Sequence, residues 1–119
     1  MINLDTHILV FALSGEVSNK EKDILTSNQW SISGIVSWEL AKLVQLKRII
    51  LDLRDADVVR TLNSLHVWPI DLPVSLQSTL LDFNGDPADE IIAATSVVHN
   101  VPLLTRDQRI LGSKVVPFA

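Results

Sequence analysis

The sequence predicts an α/β fold with a mainly parallel central sheet, and three observations carry that reading. Short apolar runs alternate with longer amphipathic segments, the order expected when each strand leads into a helix that crosses back over the sheet. The chain has 119 residues, the size of one domain. Three of its most informative acids follow predicted strands directly or lie one turn into the helix after one, near the strand ends where open parallel sheets place their sites.

The elements follow in order. Ile2 to Leu4 is a short apolar run ending at Asp5, followed by His7 to Leu13. Ser18 with Glu21 three residues on has the spacing of a capping box, which predicts a helix to about Thr26. Gln29 to Ser33 alternates polar residues with Trp30 and Ile32, a strand pattern. From Ile35 to about Lys47 the apolar positions Val36, Leu40, Leu43 and Val44 share a helical face. A further helix is predicted over Arg54 to Leu65, followed by a strand at Val67 to Ile70 whose Pro69 places it near an edge or an end. Pro73 to Phe83 reads as a helix with proline in its first turn. Asp86 opens the last long helix, which runs to His99 with Asn100 as its cap, before a strand at Val101 to Leu104. A short turn or helix at Asp107 to Leu111 leads into a final extended piece at Lys114 to Val116.

Composition narrows the chemistry. There is no cysteine, which excludes disulfides and thiolate metal sites and fits a reducing, cytoplasmic setting. No apolar run approaches the roughly 18 residues of a membrane span, and the first residues lack the basic start of a signal peptide. The net charge of −4 is the wrong sign for holding nucleic acid on a broad basic face. Any such chemistry would need bound cations or a local basic strip. Mean hydropathy of +0.29 is high for so small a domain. Together with the Ile49-Ile50-Leu51 run, it suggests an apolar patch covered by a second copy in a homodimer.

Four acids stand out by position: Asp5 after the first strand, Glu39 in the helix after the second, Asp89 in the first turn of the last long helix, and Asp107 after the last strand. Brought to one edge of the sheet, they repel. Two carboxylates about 5 Å apart oppose each other by about 3 kcal/mol at an effective dielectric of about 20. Either their pKa values rise or a divalent cation neutralises them. An all-oxygen donor set suits Mg²⁺ or Mn²⁺ and not Zn²⁺. Each acid also has a local explanation. Asp5 and Asp107 could cap a helix or a turn, Glu39 could be solvated, and Asp86 with Asp89 is a cap followed by a first-turn acid.

At these same residues the sequence resembles the PIN-domain family and, within it, the VapC-type toxins. The resemblance lies in Leu4-Asp5-Thr6-His7, Ser37-Trp38-Glu39-Leu40-Ala41, Asp86-Pro87-Ala88-Asp89 running into Ile92-Ala93-Ala94-Thr95, and Leu103-Leu104-Thr105-Arg106-Asp107. It implies one PIN-like domain over residues 1–119, with a three-layer α/β/α fold. The implied activity is metal-dependent endoribonuclease cleavage of a structured RNA such as tRNA or rRNA. Asp5, Glu39, Asp89 and Asp107 correspond to the family's Mg²⁺- or Mn²⁺-binding acids, and Asp86 to a frequent acid of less direct role. Thr6 and Thr105 could orient a carboxylate, water or phosphate, or satisfy the local backbone. A cognate antitoxin protein is the implied partner. Glu90 stands where such toxins commonly have Arg, which puts the substrate path in question.

Arg106, beside Asp107, is the expected phosphate contact. His7, His66 and His99 show no ligand spacing, and Trp30, Trp38 and Trp68 read as packing residues before base-stacking ones. Two other readings stay open: a PIN-like module that only binds a partner, and a phosphoacceptor or phosphohydrolase domain. The second lacks the additional acids and placed Lys that such domains carry near the first strand.

Overall fold

The computed structural model describes all 119 residues and is α/β, as the alternating pattern predicts. In chain order it contains β1 (Ile2–Leu4), α1 (Thr6–Ser14), α2 (Asn19–Thr26), β2 (Trp30–Ser33), α3 (Gly34–Gln45) and α4 (Ala56–Ser64). These are followed by β3 (His66–Trp68), α5 (Leu72–Ser78), α6 (Pro87–His99), β4 (Leu103–Leu104) and α7 (Gln108–Leu111). The four strands form one sheet in the order β3-β2-β1-β4, with every pairing parallel. All the strand carboxyl ends therefore lie along one edge. β1 and β2 are the inner strands, and their residues Ile2, Leu4 and Ile32 join Ile8, Leu9, Val36, Leu40, Ile92 and Leu103 in the core.

Local signals explain most boundaries. The capping box of α2 forms as its spacing predicts, Ser18 Oγ accepting from the Glu21 N–H and the Glu21 carboxylate from the Ser18 N–H. Asp86 caps α6, and Asn100 ends it in the left-handed conformation at φ 51°. α3 stops two residues before its predicted end. Lys47 turns left-handed at φ 57°, and the Arg48 N–H returns to the Leu43 carbonyl at 2.9 Å, satisfying an orphaned helix-end acceptor.

Other elements depart further from expectation. The unassigned stretch after Asp5 is the helix α1, whose unbroken apolar run from Ile8 to Leu13 hides its period. β3 begins at His66 and ends before Pro69, because proline cannot donate to the ladder. α5 ends at Ser78, five residues short of Phe83. The Ser78 and Thr79 hydroxyls donate to the Ser75 and Leu76 carbonyls, and Asp82 is drawn away to accept from Ser113 Oγ and the Lys114 N–H. The last extended pairing falls at Phe118, which bridges to Leu103 in parallel, and not at Lys114 to Val116.

Candidate metal centre

Asp5 lies one residue beyond β1, tied to β4 by its N–H on the Leu104 carbonyl at 3.1 Å. Its carboxylate is almost buried and held at both oxygens: Oδ1 accepts the Thr6 N–H at 2.8 Å and Oδ2 the Thr105 hydroxyl at 2.6 Å. The Thr6 hydroxyl turns the other way and donates to Glu39 Oε1 at 2.5 Å. Thr105 Oγ1 also accepts the Asp107 N–H at 3.0 Å. Two buried threonines thus link three of the four acids, with Thr6 between Asp5 and Glu39 and Thr105 between Asp5 and Asp107. Both hydroxyls orient a carboxylate, and that of Thr105 satisfies the local backbone as well.

Asp89 and Asp86 come from the start of α6. Asp86 Oδ1 accepts the Asp89 N–H at 3.0 Å, so the local capping explanation holds for Asp86. Asp107 caps α7, its Oδ1 accepting the Arg109 and Ile110 N–H groups at 2.8 and 3.2 Å. Asp5, Glu39, Asp86, Asp89 and Asp107 all line one open cleft of about 450 Å³ at the carboxyl edge of the sheet. Thr6, His7, Phe11 and Arg106 complete its lining, and Glu90 is not part of it.

The electrostatics follow from that crowding. Partial burial raises the Asp89 carboxyl to about 7, and the charges of Asp86, Asp5, Asp107 and Glu39 push it the same way. Burial also raises Glu39, with added repulsion from Asp86 and Asp5, while its hydrogen bond from Thr6 pulls back. A metal-free cleft therefore favours the protonated form of Asp89 up to about pH 7. No group of three or more His, Asp or Glu side chains is drawn close enough to form a ready cation cage. That spacing is compatible with Mg²⁺ or Mn²⁺, since Mg²⁺ keeps several of its waters and commonly takes only one or two carboxylates directly. The donors fit such ions in type: every acid offers oxygen, and the one imidazole, His7, is exposed.

Arg106, the expected phosphate contact, lines the cleft and is engaged with protein groups. Its Nε and Nη2 donate to Glu21 Oε2 and Oε1, each at 2.7 Å, and its guanidinium carbon lies 4.1 Å from the Phe11 ring centroid. That pairing holds the Glu21 carboxyl down to about 2. Sequence reading missed Phe11 and Glu21 as neighbours of the cleft, because nothing local joins Glu21 to a residue 85 positions away.

Residues 2–112 match the PIN domain family. The chain belongs to the PIN-domain family. Among curated relatives, this PIN domain is similar to Ribonuclease VapC22 of Mycobacterium tuberculosis, at 31% identity over 71% of this chain and 67% of that protein. Its fold matches a toxin–antitoxin complex from Klebsiella pneumoniae with a TM-score of 0.73 at 22% identity, over 94% of this chain and 92% of that one. It also matches FitAcB from Neisseria gonorrhoeae, with a TM-score of 0.71 at 22% identity over 100% and 97%. VapBC2 from Rickettsia felis, solved on a promoter DNA fragment, gives 0.68 at 18% identity over 100% and 98%. The resemblance read from four short motifs and the predicted PIN-like α/β fold are both shown.

Proposed function

We propose that this PIN domain is a divalent-metal-dependent endoribonuclease and the toxin half of a toxin–antitoxin pair. One observation carries the reading: acids from four separated segments line a single cleft, crowded enough to raise Asp89 to about 7. Capping explains Asp86 and the backbone contacts of Asp107. It does not explain why Asp89 and Glu39 point into a site where their charges are disfavoured. Binding a cation relieves that repulsion and displaces the proton that Asp89 favours.

Asp5, Glu39, Asp89 and Asp107 are the proposed ligands of Mg²⁺ or Mn²⁺. When bound, such ions lower the pKa of a coordinated water and stabilise charge on the leaving oxygen of a phosphodiester. The chain's own work is orientation. Thr6 and Thr105 fix the Asp5 carboxylate, Thr6 steers Glu39, and the α7 N-terminus holds Asp107. The cleft is open enough to admit a polymer backbone, and its acidity makes entry of a phosphate depend on the cation. The substrate is RNA, with tRNA or rRNA the class that the family resemblance favours.

The proposed partner is a cognate antitoxin in the cytoplasm, consistent with the toxin–antitoxin complexes among the structural relatives. An apolar groove lined by Ile32, Leu40, Ala41, Leu53, Leu62 and Val67 offers a seat for its helix. A basic side chain from the same segment would compete with metal for the acids, Arg better than Lys because its fork grips a carboxylate at two points.

The test is cleavage of total RNA with Mg²⁺ or Mn²⁺, with excess EDTA, and with Asp5→Asn. Metal-dependent cutting that Asp5→Asn abolishes in a folded protein is expected. Cleavage that persists in EDTA rules the metal out, and Mn²⁺ binding without cutting would leave only a binding module. Adding the neighbouring gene product should block cleavage, less so when its basic residue becomes Ala.

A further inference from the structure

The segment from Thr105 to Asp107 sets two of the proposed ligands, yet it hangs between the weakest elements of the fold. β4 has two residues and α7 four, too few for either to be stable alone. Through that segment Thr105 holds Asp5 Oδ2, and Asp107 takes its place at the cleft.

Arg106 lies between them and reaches across the molecule. Its fork grips both oxygens of Glu21 at 2.7 Å, Nη2 also donates to the Glu16 carbonyl at 3.1 Å, and the guanidinium stacks on Phe11. The receiving side is firm. The Glu21 side chain is only 12% exposed and is held by its capping box with Ser18, while Phe11 belongs to α1. Three of the five guanidinium N–H donors have protein acceptors, and the charge is paired bidentately. A guanidinium committed in this way has little left for a phosphate.

We infer that Arg106 is a positioning residue: it braces the Thr105–Asp107 segment against α1 and α2, keeping Asp5 and Asp107 in place, and does not contact RNA. The inference deepens the nuclease reading and rests on it for its link to activity, though the brace itself is measurable without metal or RNA.

The experiment compares wild type with Arg106→Ala, Arg106→Lys, Glu21→Gln and the Arg106→Ala/Glu21→Gln double variant, each shown to be folded by circular dichroism. Backbone hydrogen exchange at Asp107, Arg109 and Ile110, recorded in EDTA, should quicken in every variant. Lys fails to rescue because it cannot supply the fork. Mn²⁺ affinity by calorimetry should fall about 10- to 100-fold, the usual cost of losing a group that orients a ligand. Cleavage should lose kcat with little change in KM, and the double variant should be no worse than Arg106→Ala.

A phosphate contact predicts otherwise. Glu21→Gln would then leave exchange, Mn²⁺ affinity and cleavage intact, while Arg106→Ala alone would raise KM and flatten its salt dependence. That pattern overturns the inference. If the wild type neither binds Mn²⁺ nor cuts RNA, the nuclease reading fails by itself. Exchange still decides the brace, and rates in Arg106→Ala equal to wild type would overturn it.

Discussion

Asp89 shows how one carboxyl reports on a whole site. Folded, it holds its proton up to about 7, against an ordinary value of 3.8. Between those values the folded chain binds more protons than the unfolded one, so unfolding free energy falls as pH rises across that window. Glu39 is raised too and acts in the same direction. Glu21, held down to about 2, acts the opposite way, but only below its ordinary 4.5. In EDTA, Tm should therefore drop between about pH 4.5 and about pH 7 and level off above, and Asp89→Asn should remove most of the slope. With Mn²⁺ present the trend should weaken or reverse, because ligand carboxylates must be deprotonated. A Tm that rises with pH equally in both proteins would refute this account of the cleft. Asp86 and Asp89 divide their duties in a way mutation can separate. Asp86→Ala should cost about 1 kcal/mol of stability through the lost cap while Mn²⁺ still binds. Asp89→Ala should lose Mn²⁺ binding, and denaturant melts beside calorimetry would expose a reversed assignment.

The elements owe their limits to end chemistry more than to propensity. α3 presents Glu39 to the cleft from its first half and is closed by Lys47 at φ 57°, where a glycine would sit without strain. Holding an L-residue there costs about 1 kcal/mol, so Lys47→Gly should gain a fraction of that in urea denaturation, with cleavage unchanged. A loss of stability would mean that the Lys47 side chain makes a contribution its backbone strain conceals. α6 carries the same kind of stop at Asn100, where the side chain tolerates the left-handed turn better than lysine does. Both helices thus end by fixed geometry, and the first turn of α6 is locked from the other side by Asp86. That rigidity keeps Asp89 within the cleft despite the repulsion acting on it.

At the scale of the molecule, apolar surface remains after the core is filled. Ile50 is fully exposed, Leu72 and Leu76 are exposed one turn apart on α5, and Leu80 is exposed just beyond its end. The Ile49-Ile50-Leu51 run is only partly open, since Ile49 and Leu51 pack against the core. The patch for self-association is therefore better represented by Ile50 with these leucines. A homodimer at micromolar concentration is the expected state by light scattering, and Leu76→Lys should shift it toward monomer. A monomeric wild type would leave their exposure without that explanation. No helix is long and apolar enough to cross a membrane.

What the sequence determined by itself was local: the capping box at Ser18, the Asp86 cap, the Asn100 stop and the alternation of strand and helix. Each depends on residues within about five positions of one another, so the necessary partners are adjacent in the text. The four acids were legible as candidates for the same reason, since Asp5 and Asp107 follow strands, Asp89 lies in a first helical turn and Glu39 one turn into the helix after β2. Their convergence was an expectation that required the parallel order β3-β2-β1-β4. Tertiary structure alone decided the rest. α1 was hidden because Ile8 to Leu13 is one unbroken apolar run, and its burial is set by packing against other elements. α5 stopped early because Asp82 found partners more than thirty residues away, at Ser113 and Lys114. Arg106 turned to Glu21 across 85 positions, and Thr105 reached Asp5 across 100. Pairings of that kind depend on which surfaces the fold brings together, and no local spacing encodes them.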